Sequence, residues 1–188
     1  MLLEESTVDQ TLDWLFARGD RHVIIEINNE ANVRYDHALL KPDRMHELIV
    51  RVHDRQQAGR RFLVLTSYGG SRIPDDSVVR VSDFILIHGN GVTDPARITE
   101  MVNQTRAPPA WRPTPIVFNE DDHFNFDQPV NNFTAAVRAG TSWRFFDYRM
   151  KGEGHADGYQ SVPVDWGIHS PRKKAFFAKL REITGGLE

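Results

Sequence analysis

His22-Val-Ile-Ile-Glu-Ile-Asn-Asn-Glu30 decides the fold of this 188-residue chain. Residues 22–28 are rich in β-branched side chains and too continuously apolar for a surface strand, which predicts a buried parallel one. Ahead of it, residues 7–18 place Val8, Leu12, Leu15 and Phe16 on one helical stripe, and Gly19 stands where a C-terminal cap belongs. The unit then recurs. Residues 42–57 set Met45, Leu48, Ile49 and Val52 at i, i+3, i+4 and i+7, Gly59 follows as a cap, and 62–66 is the next strand.

A third strand is predicted over 83–88. The helix after it opens on Asp94 as N-cap and Pro95 in the first turn, with Ile98, Met101 and Val102 inward. Residues 115–119 form the fourth strand. A helix over 130–139 with Phe133 and Val137 inward, closed by Gly140, leads to a fifth strand over 143–147. Ser170-Pro171 opens the last helix, whose inner face is Phe176, Leu180 and Ile183. Residues 71–82 are too short and too polar for a helix and read as a loop with one turn. Residues 150–169, polar and carrying four glycines, read as a functional loop over the strand ends. Strands alternating with helices predict an α/β fold, a parallel sheet covered by helices, with chemistry on the loops at the strands' C-terminal ends.

Composition bounds the function. The chain has no cysteine, 23 basic against 26 acidic residues and a formal charge of −3. That excludes thiol nucleophiles and thiolate metal sites, and gives no basic face for nucleic acid or an anionic membrane. No apolar run reaches the roughly 20 residues of a membrane helix. The opening MLLEESTVDQ has neither a basic nor an apolar leader region, so nothing in it directs export and the compartment stays open. At this length one domain spanning 1–188 is expected, without internal linkers.

The polar residues gather at strand ends: Asn28, Asn29 and Glu30; Ser67 and Tyr68; His88 and Asn90; then Asn119, Glu120, Asp121, Asp122 and His123. Taken alone, an Asn-Glu after a strand is most often a turn or helix cap. Two glutamates delivered from separate strand ends are what a two-carboxylate reaction needs, because rigid strands fix their separation. Glu26 shares a face with Asn28 and Glu30 by period two and reads as a support for them. Tyr35, Tyr68, Tyr159 and Trp166 could stack on sugar rings, although scattered loop aromatics more often pack. Asp121, Asp122 and His123 make only a weak metal site, because three adjacent side chains do not all point at one ion. No metal or cofactor is expected.

Residues 14–30 resemble the helix, strand and Asn-Glu signature of clan A glycoside hydrolases, specifically the cellulase-like family five. Pro115-Ile-Val-Phe-Asn-Glu120 resembles the strand of that clan which ends in the nucleophilic glutamate. The resemblance implies that Glu30 is the acid/base ending barrel strand four and Glu120 the nucleophile ending strand seven. Asn29 then meets the sugar 2-hydroxyl, and His88, ending strand six, contacts substrate or nucleophile. Tyr68 and Trp166 complete the substrate-binding set. The implied fold is a partial (β/α)8 TIM-type barrel of five parallel strands with covering helices, its strands one to three absent from this chain. The implied function is retaining hydrolysis of a β-linked poly- or oligosaccharide by double displacement.

Two other readings compete with it. A carbohydrate-binding or catalytically silent barrel fragment would follow from the loss of strands one to three. A metal-dependent sugar isomerase or lyase would use Glu26, Glu30, His88 and Glu120, and a chelator separates it from a metal-free glycosidase. A five-strand barrel also leaves open edges at 22–28 and 143–147 and a wet concave face bearing Ile24, Val64, Leu86 and Val117 or their neighbours. The chain on its own is therefore expected to self-associate and to turn over little β-glycoside. Light scattering that returns a stable monomer, together with hydrolysis at enzyme-like rates, would overturn this.

Overall fold

Asp94 shows how local chemistry sets the elements of this computed structural model, which describes residues 3–109, 111–147, 152–154 and 167–185. Its side chain accepts the Ala96 N–H at 2.9 Å, Pro95 takes the first turn, and α4 (Pro95–Arg106) follows with Ile98, Met101 and Val102 wholly buried, as expected. In chain order come α1 (Leu3–Arg18), β1 (Ile24–Glu26), a 3-10 turn (Ala38–Leu40), α2 (Pro42–Asp54), β2 (Leu63–Leu65) and α3 (Asp76–Val81). Then follow β3 (Ile85–His88), α4, β4 (Ile116–Glu120), α5 (Asn132–Arg138), β5 (Ser142–Trp143) and α6 (Pro171–Thr184).

The chain is α/β, with two small parallel sheets among the described residues. β1 pairs with β2, and β3, β4 and β5 pair in that order. Asp83 joins the two sheets. Its N–H donates to the Val64 carbonyl at 3.1 Å, and its carboxylate accepts the Val64 N–H at 2.8 Å and both terminal nitrogens of Arg61 at 2.8 and 2.6 Å. One side chain thus supplies a rung where no second strand lies against β2.

Each sheet has its own core. Under β1–β2, Val64 meets Leu12, Leu15 and Phe16 of α1 and Met45, Ile49 and Val52 of α2. Under β3–β4–β5, Ile85, Ile87, Ile116 and Phe118 meet Ile98, Met101 and Val102 of α4 and Ala135 and Ala136 of α5. α3 occupies the span 71–82, where a loop was expected. Adjacent Val78 and Val79 enter the first and second clusters respectively, so tertiary burial on two sides stabilises a helix that its six residues could not hold alone.

Other expectations are corrected. β1 is three residues long and covered on one face only: Ile25 packs on the first cluster, while Ile24 is 52% exposed and its register partner Leu63 44%. Val64 faces the helices and its parity neighbour Leu63 faces outward, one of the two phases expected for β2. α2 ends at Asp54, and Gly59 lies instead in a tight turn with Ala58, both at positive φ, that bridges Gln57 to Arg60. α5 starts at Asn132 behind an Asn131–Thr134 capping box, a phase that turns Ala135 and Ala136 inward and leaves Val137 at 36% exposure. β5 stops at Trp143. Beyond it, Phe145 stacks on Phe176 of α6 at 4.4 Å and Asp147 pairs with Arg172, contacts that take the place of a strand ladder. In α6, Ser170 caps the first turn as expected and Phe176 joins the aromatic group, whereas Ile183 is exposed near the helix end. The segment 150–169 lies outside the described residues apart from 152–154 and 167–169.

Burial alone would raise the Asp83 carboxyl, but the Arg61 guanidinium and the Val64 N–H outweigh it and hold its pKa below the ordinary 3.8. A depressed folded pKa contributes stability that is present above 3.8 and lost as pH falls through the lowered value. Asp83→Ala, which strands Arg61 and the Val64 N–H, is expected to cost about 3 kcal/mol at neutral pH and to flatten this acid-side loss. Urea unfolding across pH checks it, and an unchanged midpoint would remove Asp83 as the junction.

Candidate active site

Glu30 follows β1 in the left-handed region, at φ 53, where a residue with a Cβ is strained by about 1–2 kcal/mol. The surroundings over-determine it. The Glu30 N–H donates to Ser67 Oγ at 3.0 Å, the Ala31 N–H to the Ser67 carbonyl at 2.9 Å, and the Val33 N–H closes a turn on the Glu30 carbonyl at 2.9 Å. Ser67 is fully buried, and its single hydroxyl proton has two acceptors, Glu26 Oε1 at 2.6 Å and Asn29 Oδ1 at 3.2 Å. The shorter contact favours Glu26, which thereby supports Glu30 through Ser67 as its sequence position suggested. Asn28 does not share their face: its amide donates to the Leu40 carbonyl and accepts from Thr66 Oγ1, because the period-two alternation ends with β1 at Glu26.

His88 and Glu120 meet through a β-bulge. The β3–β4 register shifts between Ile87 and His88, so His88 pairs with Glu120 rather than with Asn119. The His88 ring is fully buried, with Nδ1 3.2 Å from Glu30 Oε1 and 3.7 Å from Glu120 Oε2. Nδ1 is thus the ring nitrogen turned toward the carboxylates, nearer Glu30 than Glu120. Asn90 Nδ2 donates to Glu120 Oε2 at 3.1 Å. One carboxylate oxygen of each glutamate and a His88 ring nitrogen all lie within 4.8 Å of one another.

The loop after β4 is fixed from behind. Buried Asp121 accepts from Trp143 Nε1 at 3.1 Å, Asn132 Nδ2 at 3.1 Å and the His123 N–H at 2.9 Å, while its burial raises the carboxyl above the ordinary range. Gly89 is needed for this approach: a Cβ there would lie 2.5 Å from Asp121 Oδ2. Asp121, Asp122 and His123 do bring one ligand atom each within 4.8 Å, contrary to the expectation that adjacent side chains diverge, because Asp122 folds back onto the Gly91 N–H and His123 Nδ1 approaches Asp122. Asp121, however, already has three donors on its carboxylate.

Of the residues singled out from sequence, Glu30, His88 and Glu120 come together and Asn29 borders them. Tyr68 does not join them. It is 3% exposed in the first core cluster, and burial, with the Asp75 carboxylate nearby adding to it, raises its hydroxyl pKa. Trp166 lies outside the described residues. Ser67 and Asn90 are the functional neighbours that strand-end position alone had marked without giving them a role. No protein-family model matches the chain, and no curated protein and no solved structure matches it.

If Glu30 is held against its backbone preference, Glu30→Gly should be more stable than Glu30→Ala by about 1 kcal/mol, since glycine relieves the positive φ and alanine does not. Equal urea midpoints for the two variants would dismiss the strain.

Proposed function

We propose that Glu30 and Glu120 are the two carboxylates of a retaining glycoside hydrolase-type site acting on a β-linked poly- or oligosaccharide. In this reading the five strands correspond to strands four to eight of a (β/α)8 barrel resembling clan A, family five. The supporting observation is the pair itself: one carboxylate ending β4 and one four residues beyond β1, with one oxygen of each within 4.8 Å of the other. Retaining sites hold the carboxyl groups about 5–5.5 Å apart and inverting sites about 6.5–9.5 Å, to admit a water. Oxygens this near one another are compatible with the retaining spacing.

Glu30 gives its proton to the departing glycosidic oxygen while Glu120 attacks the anomeric carbon, and the C–O bond to the leaving sugar breaks as the glycosyl–Glu120 ester forms. Glu30, now a carboxylate, takes a proton from water, whose oxygen displaces Glu120. Asn90 orients one Glu120 oxygen, which leaves the other for attack, and His88 holds the two carboxylates in register. The exposed pair Ile24 and Leu63 supports self-association of the chain.

A second reading has its own support. Glu30, His88 and Glu120 could also hold a divalent ion, as a metal-dependent sugar isomerase or lyase requires. In a complete, active parent that contains this chain, Glu120→Gln is expected to lower hydrolysis of aryl β-glycosides by about a thousandfold or more, and Glu30→Ala to be rescued by azide with release of a β-glycosyl azide. Unchanged activity in either variant removes that residue from the mechanism. Activity lost to a chelator and restored by added metal would transfer the site to the second reading.

A further inference from the structure

We propose that the cavity beside Glu30 is a subsite for an anionic sugar, a uronate unit whose carboxylate is held by Arg34 while its ring lies against Tyr35. This rests on Glu30 acting at a glycosidic bond. The cavity, of about 410 Å³, is lined by Asn29, Glu30, Val33, Arg34 and Tyr35. It exceeds the cavities between α1 and β1, beside α4 and α5, and between α2 and α3, at about 160, 300 and 180 Å³. Four of its five lining side chains are polar, which suits a hydroxylated ligand better than an apolar one.

Its wall is preorganised. Gly69 N–H donates to Asn32 Oδ1 at 2.7 Å, Val33 closes a turn on Glu30, and the Tyr35 hydroxyl donates to the Asn29 carbonyl at 2.8 Å, which anchors the ring by its polar end. Gly69 has no room for a side chain, because a Cβ there would meet Val33 Cγ2 at 2.8 Å. A wall fixed in this way loses little entropy when a sugar binds.

Arg34 supplies the charge. Among the described residues it is the one cation lining the cavity and makes no ion pair or hydrogen bond, whereas Arg44, Arg51 and Arg61 are each engaged by a carboxylate. A guanidinium fork matches a sugar carboxylate through two parallel N–H···O bonds. Without it, a uronate beside Glu30 and Glu120 would meet only like charge. A neutral sugar would leave the fork to water.

Calorimetric titration of the chain with cellobiouronic acid and with cellobiose tests the subsite, because binding is read without turnover. The acid is expected to bind about tenfold more tightly than the neutral sugar, with a preference that shrinks at high ionic strength and vanishes in Arg34→Gln. Arg34 is exposed, so this variant should keep the parent unfolding midpoint. Equal binding of the two sugars, or a preference that survives Arg34→Gln, overturns the subsite and leaves the Glu30–Glu120 reading with a neutral substrate. Binding of neither sugar also overturns it, and the azide rescue then judges Glu30 and Glu120 on its own.

Discussion

The Asp83 carboxylate holds together what the rest of the molecule uses. Glu30 hangs from the sheet of β1 and β2, His88 and Glu120 from the sheet of β3, β4 and β5, and the two sheets are separate ladders. Backbone pairing cannot fix the distance between side chains on different sheets. Asp83 does so by taking the place of a strand residue, with one oxygen on the Val64 N–H and Arg61 locking both oxygens from the side. The Ser71 N–H adds a second tie to the His88 carbonyl at 3.0 Å, and α3 seals the seam by burying Val78 on one side and Val79 on the other. Glu30 and Glu120 can share a few ångströms of space because these ties are short.

Periodicity made the helices legible because burial and period coincide there. Met45, Leu48, Ile49 and Val52 are the inner stripe of α2, and Ile98, Met101 and Val102 that of α4. The strands were found in the right places, but all except β4 are shorter than expected, since apolar runs mark where a strand lies and not where its hydrogen bonds stop. α3 was missed because Val78 and Val79 fit no helical stripe; they serve two cores at once, which a single-face pattern cannot encode. At the site, Glu30 and Glu120 were legible from strand-end position, and His88 from its place after an apolar run. The roles of Ser67 and Asn90 were not, since each depends on partners that only the parallel register brings near: Ser67 on residues 37 to 41 positions away, Asn90 on one 30 positions away.

The site is also where the chain departs from its own local preferences. Glu30 has a left-handed backbone, the β3–β4 ladder is broken by a bulge at His88, and Gly89 and Gly70 have no side chain because Asp121 and the Asn90 carbonyl occupy that space. Each departure costs stability, and each acts on the position of one carboxylate or its neighbours. The left-handed turn aims Glu30, the bulge moves His88 opposite Glu120, and the glycines let the loops after β2 and β3 lie against Asn90 and Asp121. Another left-handed residue, Ala58, lies in the turn from Gln57 to Arg60 and serves only that turn. The departures around the two carboxylates act together on one geometry.

That geometry sets an electrostatic demand on any chemistry performed there. Two unit charges roughly 5 Å apart would repel by about 3 kcal/mol at an effective dielectric constant near 20, so something positive between the carboxylates lowers the energy. His88 Nδ1 already lies 3.2 Å from Glu30 and 3.7 Å from Glu120, on a ring with no exposure to water. The remaining demand can be met by a proton on Glu30 or by a divalent ion between Glu30, His88 and Glu120. The first is the proton a glycosidic leaving group needs, and the second is the ion an isomerase or lyase needs. Both readings therefore grow from the same repulsion, and they differ only in which positive species relieves it. Asn90 bears on the choice, because its amide already donates to one oxygen of Glu120 and leaves a metal only the other oxygen of that carboxylate.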